Sequence, residues 1–328
     1  MASGPEGEPV RPRAKRLQGP GSEILRLLSY GSVRALRQLG DEGRRPSRIR
    51  VPSTTFHNHA AELMRVGAME RRVLAGPPRQ VVYELGRSGA ELCGLIDGWS
   101  VVLAGPEPDT PIEELDWEGP RRFAGAWAVG VVAGLLDGPR SRAGIEILVR
   151  PASGLTANQV GGLLASLARA GFLASVGAGP IYALTDLGRA AVGQLAASVR
   201  FERRYLADAV PATVADGVAA LRATLPLVEL DPEHQGLCEV LVEDRGDVGG
   251  GRAAGAWARV EAGRVVATGY GRTPGPPTAW IRGTIDDWMA AVIDRRPRAL
   301  KAAGDRRLAG ALVRDLHSRL YGPGRSLG

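Results

Sequence analysis

One segment of this chain occurs twice, and the duplication narrows what the polypeptide can fold into. The first copy, Ser53 to Gly89, reads STTFHNHAAELMRVGAMERRVLAGPPRQVVYELGRSG. The second, Leu155 to Gly188, reads LTANQVGGLLASLARAGFLASVGAGPIYALTDLG. Each spells a polar helix, a glycine stop, a β-hairpin and a closing helix. Internal repetition fixes architecture before any single residue is weighed. Where the copies differ is where function should show.

Spacing predicts the elements of each copy. Ser53 is a good N-cap, Phe56, Ala60 and Leu63 recur at i, i+4, i+7, and Gly67 supplies a stop. Strands at Met69–Leu74 and Val81–Leu85 flank Ala75-Gly76-Pro77-Pro78, a loop that reads as a wing, and a helix follows from Arg87 to Leu103. In the second copy Thr156 and Gln159 have capping-box spacing, and Val160, Leu164 and Leu167 repeat the inner stripe. A short hairpin turns at Gly177-Ala178-Gly179, and a helix runs over 185–207. Two winged-helix units in tandem fit this pattern.

The surrounding chain completes the plan. Residues 1–20 are rich in Pro, Gly and Arg and read as a disordered basic arm. Residues 23–39 predict two short helices broken near Tyr30–Gly31, and an apolar helix at Ala124–Leu136 opens the second unit. The acidic, proline-rich stretch 104–120 reads as a linker. From about 212 the pattern becomes α+β, with strands expected at Gly236–Val242, Ala254–Glu261, Arg264–Gly269 and Ala279–Gly283 and helices at Val214–Thr224, Ile285–Ile293 and Arg306–Tyr321. The expected class is multidomain α+β: winged-helix units at 21–103 and 121–208, then an α+β domain at 212–322.

Charge is unevenly placed. Of the net +7, residues 1–100 hold 16 Lys and Arg against 10 Asp and Glu, residues 101–200 hold 8 against 9, and the remainder 18 against 16. A basic first third beside two nearly neutral ones suggests a polyanion-binding module plus something else. No run of about 18 apolar residues predicts a membrane span, and the amino-terminal stretch has no apolar core of a secretory signal. Two cysteines, Cys93 and Cys238, are too few for a disulfide framework or a zinc finger, so buried structural thiols and a cytoplasmic location are expected.

The stretch 23–103 resembles the HxlR-type winged-helix transcriptional regulators of bacteria. The likeness rests on Leu63, Gly67 and Arg71-Arg72, then Pro77-Pro78-Arg79, then Val82-Tyr83-Glu84-Leu85 and Gly89 before the long helix. Gly86 stands where that family usually has a helix-capping threonine, and the family's amino-terminal cysteine is missing, so thiol-based sensing is not implied. Residues 122–207 match more weakly, through Ile181-Tyr182-Ala183-Leu184-Thr185 and Gly188. Residues 212–322 look like a sterol-carrier-protein-type domain, through Trp280-Ile281-Arg282-Gly283, Asp287-Trp288 and Gly304-Asp305.

The resemblance places the polar helix of the first copy in the major groove of double-stranded DNA and the wing beside the phosphates. The expected contacts are Ser53, Thr54, Thr55, His57, Asn58 and Arg65 on the helix, with Arg71, Arg72 and Arg79 on the wing and Arg44, Arg45, Arg48 and Arg50 leading in. Asn reads adenine edges, and Arg grips phosphate. Aligning Gly67 with Gly171 sets His57 and Asn58 against Gly161 and Gly162, and Arg71-Arg72 against Ser175-Val176. Adjacent glycines also weaken a helix, by about 1 kcal/mol each relative to Ala. The second copy is therefore expected to be a structural partner. A fused pair can pack as a pseudo-dimer with one reader per chain, so a homodimer is expected on a palindrome.

The sterol-carrier likeness implies an apolar tunnel for a hydrophobic small-molecule effector, with Trp257, Val266, Trp280 and Trp288 as lining candidates. A ligand-controlled regulator, repressing by family likeness, is the resulting expectation. The alternatives are a carrier of a hydrophobic metabolite that uses its winged helices as scaffold, and an interaction module whose basic end meets an acidic partner. Neither a phosphate-binding loop nor a G-x-S-x-G elbow occurs, and His57 and His59, two apart on a helix, diverge too far to share a metal. No catalysis, cofactor or metal is expected.

Overall fold

The structure, a computed structural model, describes residues 22–39, 53–75, 80–105, 107, 109–123, 128–136, 138–153, 155–177, 179–206, 214–243 and 254–321. It is of mixed helix and strand, an α+β chain. Three antiparallel or mixed sheets are small and separate. The proposed arm at 1–20, the Arg44–Arg50 segment and the wing tip lie outside the described residues.

The first repeat begins with α1 (Ser22–Leu27) and α2 (Tyr30–Leu39), so the break falls at Leu28–Ser29. Next come α3 (Ser53–Arg65), β1 (Met69–Leu74), β2 (Gln80–Leu85) and α4 (Gly89–Ala104). The second comprises α5 (Glu118–Phe123), α6 (Ala128–Leu135), β3 (Arg140–Ser141), α7 (Arg142–Ser153), α8 (Ala157–Arg169), β4 (Leu173–Ser175), β5 (Ile181–Leu184) and α9 (Asp186–Tyr205). Strands β1 and β2 pair antiparallel, as do the shorter β4 and β5, to which β3 adds an edge.

The two copies share their turn chemistry as well as their order. Gly67 and Gly171 both take positive φ, +70° and +79°, and let the chain reverse after α3 and α8. A Cβ on Gly89 would lie 2.5 Å from the Ala68 carbonyl oxygen, and one on Gly188 would lie 2.4 Å from that of Phe172. Each closing helix is thus pressed against the residue after the glycine stop. Thr185 caps α9, accepting from the Gly188 amide at 3.1 Å and donating to the Gly171 carbonyl at 2.7 Å. Gly86 cannot copy this, since a Cβ there would meet the Gly67 carbonyl at 2.4 Å. The Ser88 hydroxyl ties the corresponding turn instead, donating to the Val66 carbonyl at 2.8 Å.

One hydrophobic cluster runs through both copies, from Ile24 to Phe201. The closing helices pack on each other: Trp99 of α4 donates its indole N–H to Ser198 of α9 at 3.4 Å. Leu115 and Trp117, in the stretch read as a linker, are buried in the same cluster, and Trp117 bonds back to the Ile112 carbonyl. A polar, proline-rich composition does not reveal two apolar anchors.

The remaining chain forms α10 (Val214–Thr224), β6 (Gly236–Glu243), β7 (Ala254–Glu261), β8 (Arg264–Tyr270), β9 (Ala279–Thr284), α11 (Ile285–Val292), β10 (Lys301–Gly304) and α12 (Arg306–Tyr321). Its five-stranded sheet runs β10-β9-β6-β7-β8, with β6 and β9 parallel and the other pairs antiparallel. Alternation sends Cys238, Val240, Val242, Ala256, Ala258, Val260 and Ile281 to the face covered by helices, a second core that also buries Leu308, Leu312 and Leu316. Ala262 and Gly263 close β7 to β8 with φ of +46° and +79°, a two-residue hairpin turn. The carboxylate of Asp294 and the guanidinium of Arg203, 3.3 Å apart, join this part to α9.

Replacing Gly89 or Gly188 by Ala forces a methyl group into a carbonyl oxygen. Each change is expected to cost about 1–3 kcal/mol of stability, whereas Gly162→Ala, which meets nothing within 4 Å, should be neutral or stabilising. Urea denaturation of the three variants checks this.

Candidate nucleic-acid interface

Helix α3 buries Phe56, Ala60 and Leu63 and exposes His57, Asn58, Glu62 and Arg65. Its inner side is locked by Phe56, whose ring meets that of Tyr83 on β2 edge-on at 5.1 Å. Arg65 stays extended over the helix surface, 3.2 Å from Glu62 and half-exposed. Ser53, Thr54 and Thr55 form the first turn of α3. Arg48, Arg50 and Arg79 lie outside the described residues.

The two hairpin arginines are both exposed, and strand alternation separates them. Arg71 stands opposite Tyr83, on the hairpin face that meets α3. Arg72 stands opposite Val82 on the other face, 3.3 Å from Glu84. Exposed pairs of this kind are worth about 0–1 kcal/mol, so Arg65 and Arg72 give up their carboxylates readily to a stronger anion. Asn58 and Arg65, seven residues apart, thus share one exposed face of α3, and Arg71 is exposed on β1.

The second copy presents a different surface. Over Gly161 lies the guanidinium of Arg142: a Cβ on that glycine would be 2.8 Å from Cζ. Arg142 is held there by Glu146 at 2.8 Å and the Ala157 carbonyl at 2.9 Å. Gln159, the remaining long polar side chain of the first turn, is spent on the cap, accepting from the Thr156 amide at 2.8 Å. Sequence comparison identified the lost side chains. That Arg142 plugs the gap had no local signal, because it comes from the preceding helix.

On the outward side of α3, between it and α1, α5 and α9, opens a cleft of about 880 Å³. Asn58, His59, Glu62 and Arg65 line it from α3, with Ser29, Ser32, Arg26, Arg121 and Tyr205 opposite. His59 Nδ1 lies 3.0 Å from the Ser32 hydroxyl. Burial, aided by the Arg121 charge, holds this imidazole below the usual histidine range. A second cleft of about 370 Å³ lies where α9 meets the carboxy-terminal part, beside Arg200, Arg204, Arg295 and His317. Burial, with Arg295 and Arg200, lowers His317 despite its 2.5 Å contact with the Val292 carbonyl oxygen.

The four residues singled out for an effector tunnel do not surround one space. Trp257 and Trp280 share the open face of the five-stranded sheet: Trp257 lies flat over Gly269, and Trp280 carries the Arg282 guanidinium 5.0 Å above its ring. Trp288 is on the helix side, buried, with its indole N–H donated to Leu241 at 2.9 Å. Val266, at the β-bulge of the edge strand, is 52% exposed. Neither cleft described above includes any of them. Cys238 is fully buried in β6, and desolvation pushes its thiol up to about 12.

No family model, curated protein or solved structure matches this chain. Among the described residues no group of three or more His, Cys, Asp and Glu is placed to hold a metal ion, and no helix is long and apolar enough to cross a membrane.

Because the folded state lowers both His59 and His317, it favours their neutral forms. The stability this confers is complete above the unfolded histidine value near 6.5 and is lost as pH falls through the lower folded values. The melting temperature should therefore drop between pH 7.5 and 5.5. His317→Gln should flatten that dependence, and an unchanged profile would contradict a neutral His317 in the folded chain.

Proposed function

We propose that the chain is a sequence-specific DNA-binding transcriptional regulator built from two tandem winged-helix units and a sterol-carrier-like α+β domain. One observation carries the reading. Asn58 and Arg65 are exposed on one face of α3 and Arg71 is exposed on β1, while in the second copy glycines stand in place of His57 and Asn58 and the Arg142 guanidinium lies over the first of them. The first copy keeps an amide able to read a base edge beside guanidinium groups able to hold phosphates. The second serves as its partner within the chain, and the α4–α9 contact supports a pseudo-dimer of the two. A homodimer then supplies two readers to a palindromic operator, and repression is the mode the HxlR likeness favours.

Fluorescence anisotropy on the chain's own upstream DNA tests the reading. Affinity should fall steeply with salt, with a slope set by several phosphates. Asn58→Ala or His57→Ala should reduce discrimination between operator and random DNA while preserving the fold. Replacing Arg71 and Arg72 by Ala should weaken all sequences alike and flatten the salt slope by about 1–2, with Arg71, beside α3, contributing the larger share. Gln159→Ala should leave DNA binding unchanged. Binding that ignores salt, or no binding at micromolar protein, favours the carrier alternative instead.

A further inference from the structure

The larger cleft is walled by the face of α3 that carries Asn58 and Arg65. Asn58, Glu62 and Arg65, at i, i+4 and i+7, look into it, and its floor includes Leu27 and Leu206. Its size suits one small organic molecule, since such sites span about 300–1,000 Å³. It offers a ligand three guanidinium groups against two carboxylates, Glu23 and Glu62. Arg26, Arg65 and Arg121 enter from three different helices, joined by the hydroxyl groups of Ser29 and Ser32. Each arginine pairs with a glutamate three residues earlier, Glu23, Glu62 and Glu118 respectively. Partners of this exposed, local kind bind weakly and exchange. Arg121 also donates to the Arg26 carbonyl at 2.6 Å, fixing its head group at the wall, and its Nε is buried without a hydrogen-bond partner.

We propose that this cleft is a regulatory site for an organic carboxylate with an apolar body, and that its ligand competes with DNA for Arg65. The carboxylate engages Arg26 and Arg121 and draws Arg65 inward, while the apolar body lies along Leu27 and Leu206. Bidentate contact between guanidinium and carboxylate is the strong form of this hydrogen bond, and it replaces the glutamates rather than adding to them. An arginine turned into the cleft no longer reaches a phosphate, so ligand and DNA exclude each other without any long-range movement. This regulation rests on the reading of α3 as the DNA-contacting helix; binding in the cleft does not.

The test melts the full chain in the presence of acetate, hexanoate, decanoate, benzoate and 4-phenylbutyrate, each beside its primary amide. The longer and aryl acids should raise the melting temperature dose-dependently, acetate should not, and the amides should bind at least about tenfold more weakly. Arg26→Gln, which leaves the backbone carbonyl for Arg121 in place, should weaken the acids about tenfold and leave DNA binding at its unliganded value. Ser32→Val gives a second variant if the first melts early. In anisotropy, an acid that stabilises the chain should lower DNA affinity for the wild type and not for Arg26→Gln. The proposal is overturned if no acid stabilises the chain, if amides or the matching amines do as well, if Arg26→Gln keeps the full shift, or if stabilising acids leave DNA affinity unchanged. Failure of the unliganded chain to bind DNA instead sinks the regulator reading, and the melting series still decides the site.

Discussion

Helix α4 packs along α9, and the side-chain amide of Gln194 fills the space that Gly98 leaves open. Around this point Leu92, Leu95, Ile96, Trp99 and Val102 of α4 are buried, as are Ala191, Leu195 and Ser198 of α9. Further along α9, the buried carboxylate of Glu202 accepts the Ile24 amide at 2.8 Å and so anchors α1. Its last turn meets Glu91 through Arg204 and Tyr205, and Asp294 through Arg203. A single 20-residue helix therefore positions the first repeat, the second repeat and the carboxy-terminal sheet.

Against that shared frame the two copies diverge where they meet solvent. The glycine stops, the inner stripes and the contacts at Gly89 and Gly188 are kept, because they are set by packing. The outer surface is under no such constraint. There one copy carries His57 and Asn58, and the other carries two glycines with an arginine folded over the first. Packing residues describe the architecture, and the solvent-facing differences describe the division of labour we propose.

Much of this was legible in the sequence because it is encoded locally. The stops at Gly67 and Gly171 and the capping box at Thr156 and Gln159 are each fixed by residues within four positions of one another. The three features that escaped are all tertiary. Lys301–Gly304 holds no β-branched residue and is a strand only because β9 pairs with it. Leu115 and Trp117 are core residues inside an acidic stretch. The cleft joins positions near 26, 58, 121 and 205, and no spacing rule connects them. The expected tunnel shows the reverse error: Trp257, Trp280 and Trp288 share a residue type, but strand alternation and a helix place them on opposite sides of one sheet.

The α4–α9 contact also fixes what can be done with pieces of this molecule. The greasy stripe from Leu92 to Val102 is covered in large part by the other half of the same polypeptide. A cut between the repeats would leave two fragments with matching sticky flanks, prone to clump or to re-pair. A second intact copy has to be met by some other face, because this one is already occupied from within.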